Sequence, residues 1–161
     1  MMRLFRLLRS DQRGASIVEL GLVAPIFAGL LVGMTDISRA YSMKLRLEEA
    51  AQRAIETVQQ QSTHGNNYAS LSTEASNAAT AAGYSGSTVT VTYSLECNGA
   101  TNTSTTGAAI NASCTTGQTY ANYVTVKITN SYTPMFTASY FPNHNSNGTV
   151  TVSGYAGLRI R

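Results

Sequence analysis

The acidic residue Glu19 is the only charged group in a long apolar stretch that runs from Ala15 to Met34. Placing an ionisable side chain in a membrane-length segment costs about 2.5–3.5 kcal/mol, so such a residue suggests a function. If the chain were cut between Gly14 and Ala15, the new amino group would lie one helical turn from the Glu19 carboxylate. It could equally reach the carboxylate of a neighbouring subunit. The spacing therefore predicts an ammonium–carboxylate pair in apolar surroundings.

The chain has two cysteines, Cys97 and Cys114, and both follow the apolar stretch in the part that we expect to be exported. An oxidising compartment permits a disulfide between them. They flank a polar loop with little apolar content to order it, and closing a loop of this length contributes about 3 kcal/mol in the chain-entropy model. This favours a disulfide over two unrelated buried thiols.

No residue pattern indicates an enzyme, a cofactor site or a metal site. The two histidines, His64 and His144, fall in predicted turns with no carboxylate or cysteine at ligand spacing. The cysteines are too far apart for a C-x-x-C redox or zinc site, and no glycine-rich phosphate loop follows a strand. We therefore expect a protein that is not an enzyme and binds no cofactor.

The net charge of +3 arises entirely before the proposed cut. Residues 1–14 hold four arginines and one aspartate, whereas residues 15–161 hold seven basic and seven acidic residues. A nucleic-acid-binding surface would need its basic residues on the folded part, and only five charged residues follow Thr63. The charge thus predicts no nucleic-acid partner, and it predicts that the N-terminus stays cytoplasmic while the C-terminal part is exported.

The apolar run has three interpretations. A cleaved secretory signal fits poorly, because the run is long, Glu19 interrupts it and no clear A-x-A site ends it. An uncleaved anchor is consistent with about twenty residues crossing a bilayer core of about 30 Å. The third is a signal cut on the cytoplasmic side, before the run, so that the run is retained.

Apolar periodicity predicts one helix from about Ala15 to about Gln61, with a membrane half and an amphipathic half. In the second half we place the apolar face at residues Ile37, Tyr41, Leu45, Ala51, Ile55 and Val58, with Asp36 among the polar residues. Pro25 predicts a kink near Gly21. Gly21, Pro25, Gly29 and Gly33 recur at four-residue steps, and small residues on one line allow helices to approach closely in lipid, although the Gly29–Gly33 spacing alone can arise by chance.

The rest of the chain predicts a short alanine-rich helix at 68–82, which Gly83 ends, and then three strands with period-two alternation. The alternating residues are Val89 to Leu95, Val124 to Ile128 and Val150 to Ile160. Three strands with one apolar face need a cover, which the long helix provides. The predicted fold class is α+β: a long N-terminal helix, transmembrane and then amphipathic, packed on a small antiparallel sheet of about three strands, plus a short second helix. The predicted organisation is a basic leader (1–14), a transmembrane and assembly helix (15–35) and an exported domain (36–161).

These features together resemble TadE-like proteins, the minor pseudopilins of the tight-adherence (Flp) type IV pilus system. The best-matching stretch is RGASIVELGLVAP at residues 13–25, similar to the family's R-G-x-x-x-V-E-x-x-x-x-x-P opening. Later similar stretches are Arg39-Ala40-Tyr41, the alanine-rich 49–54, and the tail from Val124 to Arg159. One departure is Leu20, where major pilins of that system carry Tyr, and major pilins are also much shorter. Both differences favour a pseudopilin.

The resemblance implies cleavage between Gly14 and Ala15 by an inner-membrane prepilin peptidase. It also implies an inner-membrane protein with a single span and a periplasmic C-terminal domain, available to a pilus for assembly and adhesion. The implied partners are the peptidase, other pilins and pseudopilins, the inner-membrane assembly platform and membrane lipid. The alternative is an uncleaved single-span protein whose periplasmic domain binds an envelope partner.

Overall fold

The computed structural model describes residues 13–61, 70–104 and 113–160. The elements in chain order are the helix α1 (Arg13–Gln61), the helix α2 (Leu71–Ala81), the strands β1 (Thr88–Cys97), β2 (Ala100–Ser104) and β3 (Tyr120–Tyr132), a short 3-10 helix (Ala138–Tyr140) and the strand β4 (Val150–Arg159). The fold class is α+β, as the sequence predicts. The chain divides into two compact units, Met1–Ser38 and Arg39–Arg161.

The second unit contains one antiparallel sheet with the strand order β2-β1-β3-β4. The prediction of about three strands missed β2, which pairs with β1 after a two-residue turn. Asn98 and Gly99 form this turn with φ values of 48° and 86°. Two positive φ values match a type I′ turn, and Asn-Gly is its preferred dipeptide.

The core of the second unit lies between the sheet and two helices. From α1 it receives Met43, Leu47, Ala50, Ala51, Ala54 and Ile55, and from α2 it receives Leu71, Ala75 and Ala79. Val124, Val126 and Ile128 of β3 are fully buried beneath them. The helix therefore covers the sheet as expected. Tyr93 of β1 also joins this core, and burial raises the pKa of its phenol above the ordinary value of 10.0, so the ring is neutral at physiological pH.

The predicted apolar face of α1 was wrong in its first part. Ile37, Tyr41 and Leu45 are 64%, 59% and 47% exposed, whereas Met43 and Leu47 on the opposite side are buried. At 100° per residue, these two sets lie about half a turn apart. Asp36, which the pattern assigned to the polar side, is fully buried and has an interaction partner.

Gly83 ends α2 as predicted. It has a φ of +92°, and its N–H donates to the Thr80 carbonyl at 3.0 Å. The next N–H, from Tyr84, donates to the Ala79 carbonyl at 2.9 Å. This pair of bonds is the Schellman arrangement, which satisfies carbonyls at the helix end.

Candidate processing and assembly site

The proposed cleavage point lies near the start of the described part of α1. The helix is described from Arg13 onward, and the bond between Gly14 and Ala15 lies within it. Gly14 is exposed, and a Cβ added to it would meet nothing within 4 Å. A protease can therefore reach this bond without opening a packed core.

Glu19 lies four residues after Ala15 on the same continuous helix and is exposed. Four residues correspond to about 6 Å of helical rise. Cα–Cβ bonds of a helix tilt towards its N-terminus, so the Cβ of Glu19 leans towards the turn that contains Ala15. This is the spacing at which an amino group on Ala15 would pair with a Glu19 carboxylate, either within one chain or between neighbouring chains.

The surface of α1 around Glu19 is apolar on every side and exposed. Ten large apolar side chains are at least 42% exposed: Ile17, Val18, Leu20, Leu22, Val23, Ile26, Phe27, Leu30, Leu31 and Met34. A helix that is apolar all round requires a membrane or an assembly to cover it. Within the described residues, α1 is the one helix long and apolar enough to cross a membrane, with an 18-residue window of mean hydropathy 2.2.

Two of the small residues on α1, Gly21 and Gly29, border open space in the described part of this chain. A Cβ added at Gly21 or Gly29 would meet nothing within 4 Å. Pro25 lies inside the helix, and Gly29 and Gly33 are partly exposed. Close approach of a neighbouring helix along this line, and the kink near Gly21, stay predictions.

The structure pairs Cys97 with Cys114 in a disulfide that joins residues 17 apart in sequence. Their Cα atoms are 5.7 Å apart, within the usual range for a disulfide. Cys97 is the last residue of β1, and Cys114 precedes the turn that leads into β3. The disulfide therefore fastens the segment before β3 to the end of the β1–β2 hairpin.

The two histidines were considered as possible metal ligands. Among residues 13–61, 70–104 and 113–160, no three His, Cys, Asp or Glu side chains lie together as a metal site would require. His144 is exposed in the turn before β4, with its Nδ1 atom 3.1 Å from the Phe141 carbonyl oxygen. His64 lies outside the described residues.

Comparison with known proteins gives one family match, which covers residues 14–55 and is described as TadE-like protein. The matched region, about a quarter of the chain, is similar to TadE-like proteins. The match includes Glu19, Pro25, Gly29 and Gly33, and it continues through the part of α1 that packs on the sheet. The sheet and the disulfide lie beyond it. Neither a curated protein nor a solved structure matches the chain.

The match supports a protein associated with a tight-adherence pilus, and the apolar part of α1 agrees with a membrane protein in such a system. TadE-like proteins are structural components and not enzymes. The similarity to the family that we noted in the tail, from Val124 to Arg159, is outside the matched residues and stays a prediction.

One feature was missed by the sequence analysis: a groove on the face of the sheet opposite the core, lined by residues of β1, β3 and β4 and the turns beside them. These residues are far apart in sequence and form no motif. Only strand pairing brings them together. The one local signal was the Asn98-Gly99 turn, which fixes the end of the groove.

Proposed function

We propose that this protein is a minor pseudopilin of a tight-adherence (Flp type IVb) pilus or secretion apparatus, cleaved after Gly14 and taking part in pilus assembly and adhesion. The observation that carries the proposal is the exposed apolar surface of α1, with Glu19 as its single charge, followed by a compact α+β unit. The TadE-like match begins at Gly14 and spans this surface.

The proposed chemistry of assembly depends on charge pairing in lipid. A carboxylate and an ammonium group each lose hydration in an apolar environment, and pairing restores part of that free energy. After cleavage, the Glu19 carboxylate of one subunit would pair with the Ala15 amino group of a neighbour. The pair would fix the axial position of the incoming helix, while Gly21, Pro25, Gly29 and Gly33 would allow the helices to approach closely.

In this proposal the N-terminus is cytoplasmic, α1 crosses the inner membrane once and the second unit is periplasmic. Prepilin peptidase processes the chain, and the inner-membrane assembly platform passes it to other pilins and pseudopilins. An uncleaved anchor with an envelope partner would use the same helix but would give Glu19 no ammonium partner. Dependence of assembly on the Glu19 charge therefore separates the two functions.

The first prediction concerns substitutions of Glu19. Glu19→Ala and the near-isosteric Glu19→Gln should both insert and be processed normally, yet enter the assembled pilus fraction about tenfold less, since ~1.4 kcal/mol of lost pairing corresponds to tenfold. Quantitative immunoblotting of membrane and sheared pilus fractions would measure this ratio.

The matched control is Leu20→Ala, which shortens the adjacent side chain, itself 69% exposed, without changing charge. It should retain most of the incorporation. Wild-type incorporation of processed Glu19→Gln protein would refute the pairing mechanism.

A further inference from the structure

A groove of about 170 Å³ opens on the outer face of the sheet, within the second unit. Glu96, Tyr123 and Arg159 line it, and Asn98 and Thr119 lie at its rim. Tyr123 is half-buried, so part of its surface is available to a ligand. We call this feature the outer-face groove.

Strand register explains how the groove forms. Glu96 of β1 pairs with Ala121 of β3, and Tyr123 of β3 pairs with Arg159 of β4. Residues 121 and 123 point to the same side of their strand, so these four side chains share one face across three adjacent strands. Ala121 also lines the groove, and because it is small it leaves a depression between the larger side chains.

The rim of the groove is held by hydrogen bonds and the disulfide. The Thr119 N–H and hydroxyl both donate to Asn98 Oδ1 at 3.0 Å, and the Asn98 N–H donates to the Thr119 carbonyl at 3.0 Å. The Cys97–Cys114 disulfide fastens the same two segments. A site that is ordered before binding avoids part of the entropy cost of ordering during binding.

The size of the groove limits the ligand to about one six-membered ring, because a cavity of about 150 Å³ holds a benzene molecule. Its chemistry is mixed: the Tyr123 ring offers an apolar face, while a carboxylate, a guanidinium and an amide also belong to residues that line the groove. The carboxylate and the guanidinium give no net charge. A fitting ligand therefore has an apolar ring face, hydrogen-bonding groups around its edge and no large charge.

A pyranose sugar has these properties, and we propose that the outer-face groove binds one neutral monosaccharide unit. Its C–H face packs on Tyr123, and Glu96 accepts hydrogen bonds from adjacent hydroxyl groups. Arg159 and the Asn98 side chain lie around the same ring edge. This inference is independent of cleavage after Gly14 and of the role of Glu19.

Other ligand classes fit the groove less well. A phosphate or nucleotide would meet the Glu96 carboxylate, and a metal ion would find a single carboxylate where several oxygen ligands are needed. A purely apolar ring would bury the polar rim without hydrogen bonds, which is unfavourable. The competing occupant with the same shape is an aromatic side chain of another protein, and phenol serves as its probe.

The test uses the full chain in phosphatidylcholine nanodiscs, without glycoside detergents, which would compete for the groove. The probes are galactose, glucose, mannose, N-acetylglucosamine and N-acetylgalactosamine, each titrated by saturation-transfer NMR. At about −0.3 kcal/mol per heavy atom, a twelve-atom sugar binds with a Kd on the order of 1 mM. We expect at least one of these sugars to bind in this range.

Two variants locate the site. Tyr123→Ala and Glu96→Gln should each weaken binding of that sugar at least tenfold. The control is Tyr155→Ala on β4, which removes another tyrosine of the sheet (51% exposed) that does not line the groove, and it should leave the Kd unchanged. Thermal melting of each variant establishes that it is folded.

Three results would overturn the proposal. The first is that no probe sugar binds below about 50 mM, well beyond the range estimated above. The second is that Tyr155→Ala weakens binding as much as Tyr123→Ala does, and the third is that phenol binds in the groove more tightly than every sugar. The last result would assign the groove to an aromatic side chain.

Discussion

Gly154 of β4 shows at the scale of a single residue how closely the sheet and α1 approach. A Cβ at this position would overlap the backbone between Leu47 and Glu48 of α1. Backbone cannot move aside as the end of a long side chain can. The absence of a side chain at residue 154 is therefore a requirement of helix–sheet packing in the second unit.

Substitution of this glycine should destabilise the second unit. Gly154→Ala forces α1 and β4 apart, and overpacking of this kind costs about 1–3 kcal/mol. For a unit of this size we expect the Tm to fall by about 5–10 °C, measured by circular dichroism of the full chain in nanodiscs.

Gly157 on the same strand provides the control. A Cβ there would be 3.6 Å from Thr125 Oγ1 and 3.7 Å from the Val124 carbonyl oxygen, which is ordinary contact. Gly157→Ala should change the Tm by a few degrees at most. If the two substitutions lowered the Tm equally, close packing against α1 would not be the reason for a glycine at residue 154.

Single residues with distinctive chemistry could be identified from the sequence, whereas residues important for packing could not. Glu19 is conspicuous because it is a charge in an apolar run, and Cys97 and Cys114 because they are the only cysteines. Gly154 continues the alternation of β4, so its position on the inner face was evident. Its contact with Leu47 depends on where α1 lies on the sheet, and no local sequence pattern specifies that position.

At the scale of an element, α1 carries two apolar sides between residues 37 and 47. Ile37, Tyr41 and Leu45 follow a helical period, and so do Met43 and Leu47. Apolar periodicity indicates that a face of the helix is apolar, but it does not indicate which of two apolar faces packs on the sheet. The sequence analysis chose the first set for the core, and the structure buries the second.

The β1–β2 hairpin was missed for a different reason. All five residues of β2, Ala100–Ser104, are small or polar, and four of them are exposed. They therefore show no apolar alternation. The Asn98-Gly99 dipeptide was the available signal, and its two positive φ values are what the turn requires. The strands β1, β3 and β4 were found because each buries one side.

The disulfide should stabilise this hairpin end measurably. The double substitution Cys97→Ser/Cys114→Ser frees residues 113–119 from β1, and loss of a disulfide across 17 residues costs about 3 kcal/mol in the chain-entropy model. We expect the Tm of the full chain in nanodiscs to fall by about 10 °C.

Reduction of the wild-type protein provides an internal comparison. A reducing agent should lower the wild-type Tm to that of the double variant and should leave the double variant unchanged. If the variant and the oxidised wild-type protein melted together, the disulfide would have no stabilising role.

At the scale of the whole molecule, the chain has two units with different surfaces. The first unit exposes an apolar helix with one carboxylate, and the second is a compact α+β fold with its own core. The TadE-like match at 14–55 includes residues from both. The sequence analysis placed its boundaries after residues 14 and 35, where charge and hydropathy change. The outer-face groove was not predictable, because it depends on the pairing of three strands.

The central claim is that the chain is cut between Gly14 and Ala15 and keeps its apolar helix. The intact mass and N-terminal sequence of the protein purified from native membranes test this directly. The matched control is Gly14→Val, because a Cβ there meets nothing in the structure, so any loss of cleavage reflects recognition and not folding. We predict that the wild-type protein begins at Ala15 and that the Gly14→Val protein retains residues 1–14. A wild-type protein that begins at Met1 or Met2, in a host with prepilin peptidase, would contradict the account and leave a plain anchor; a start beyond Met34 would indicate a secretory signal.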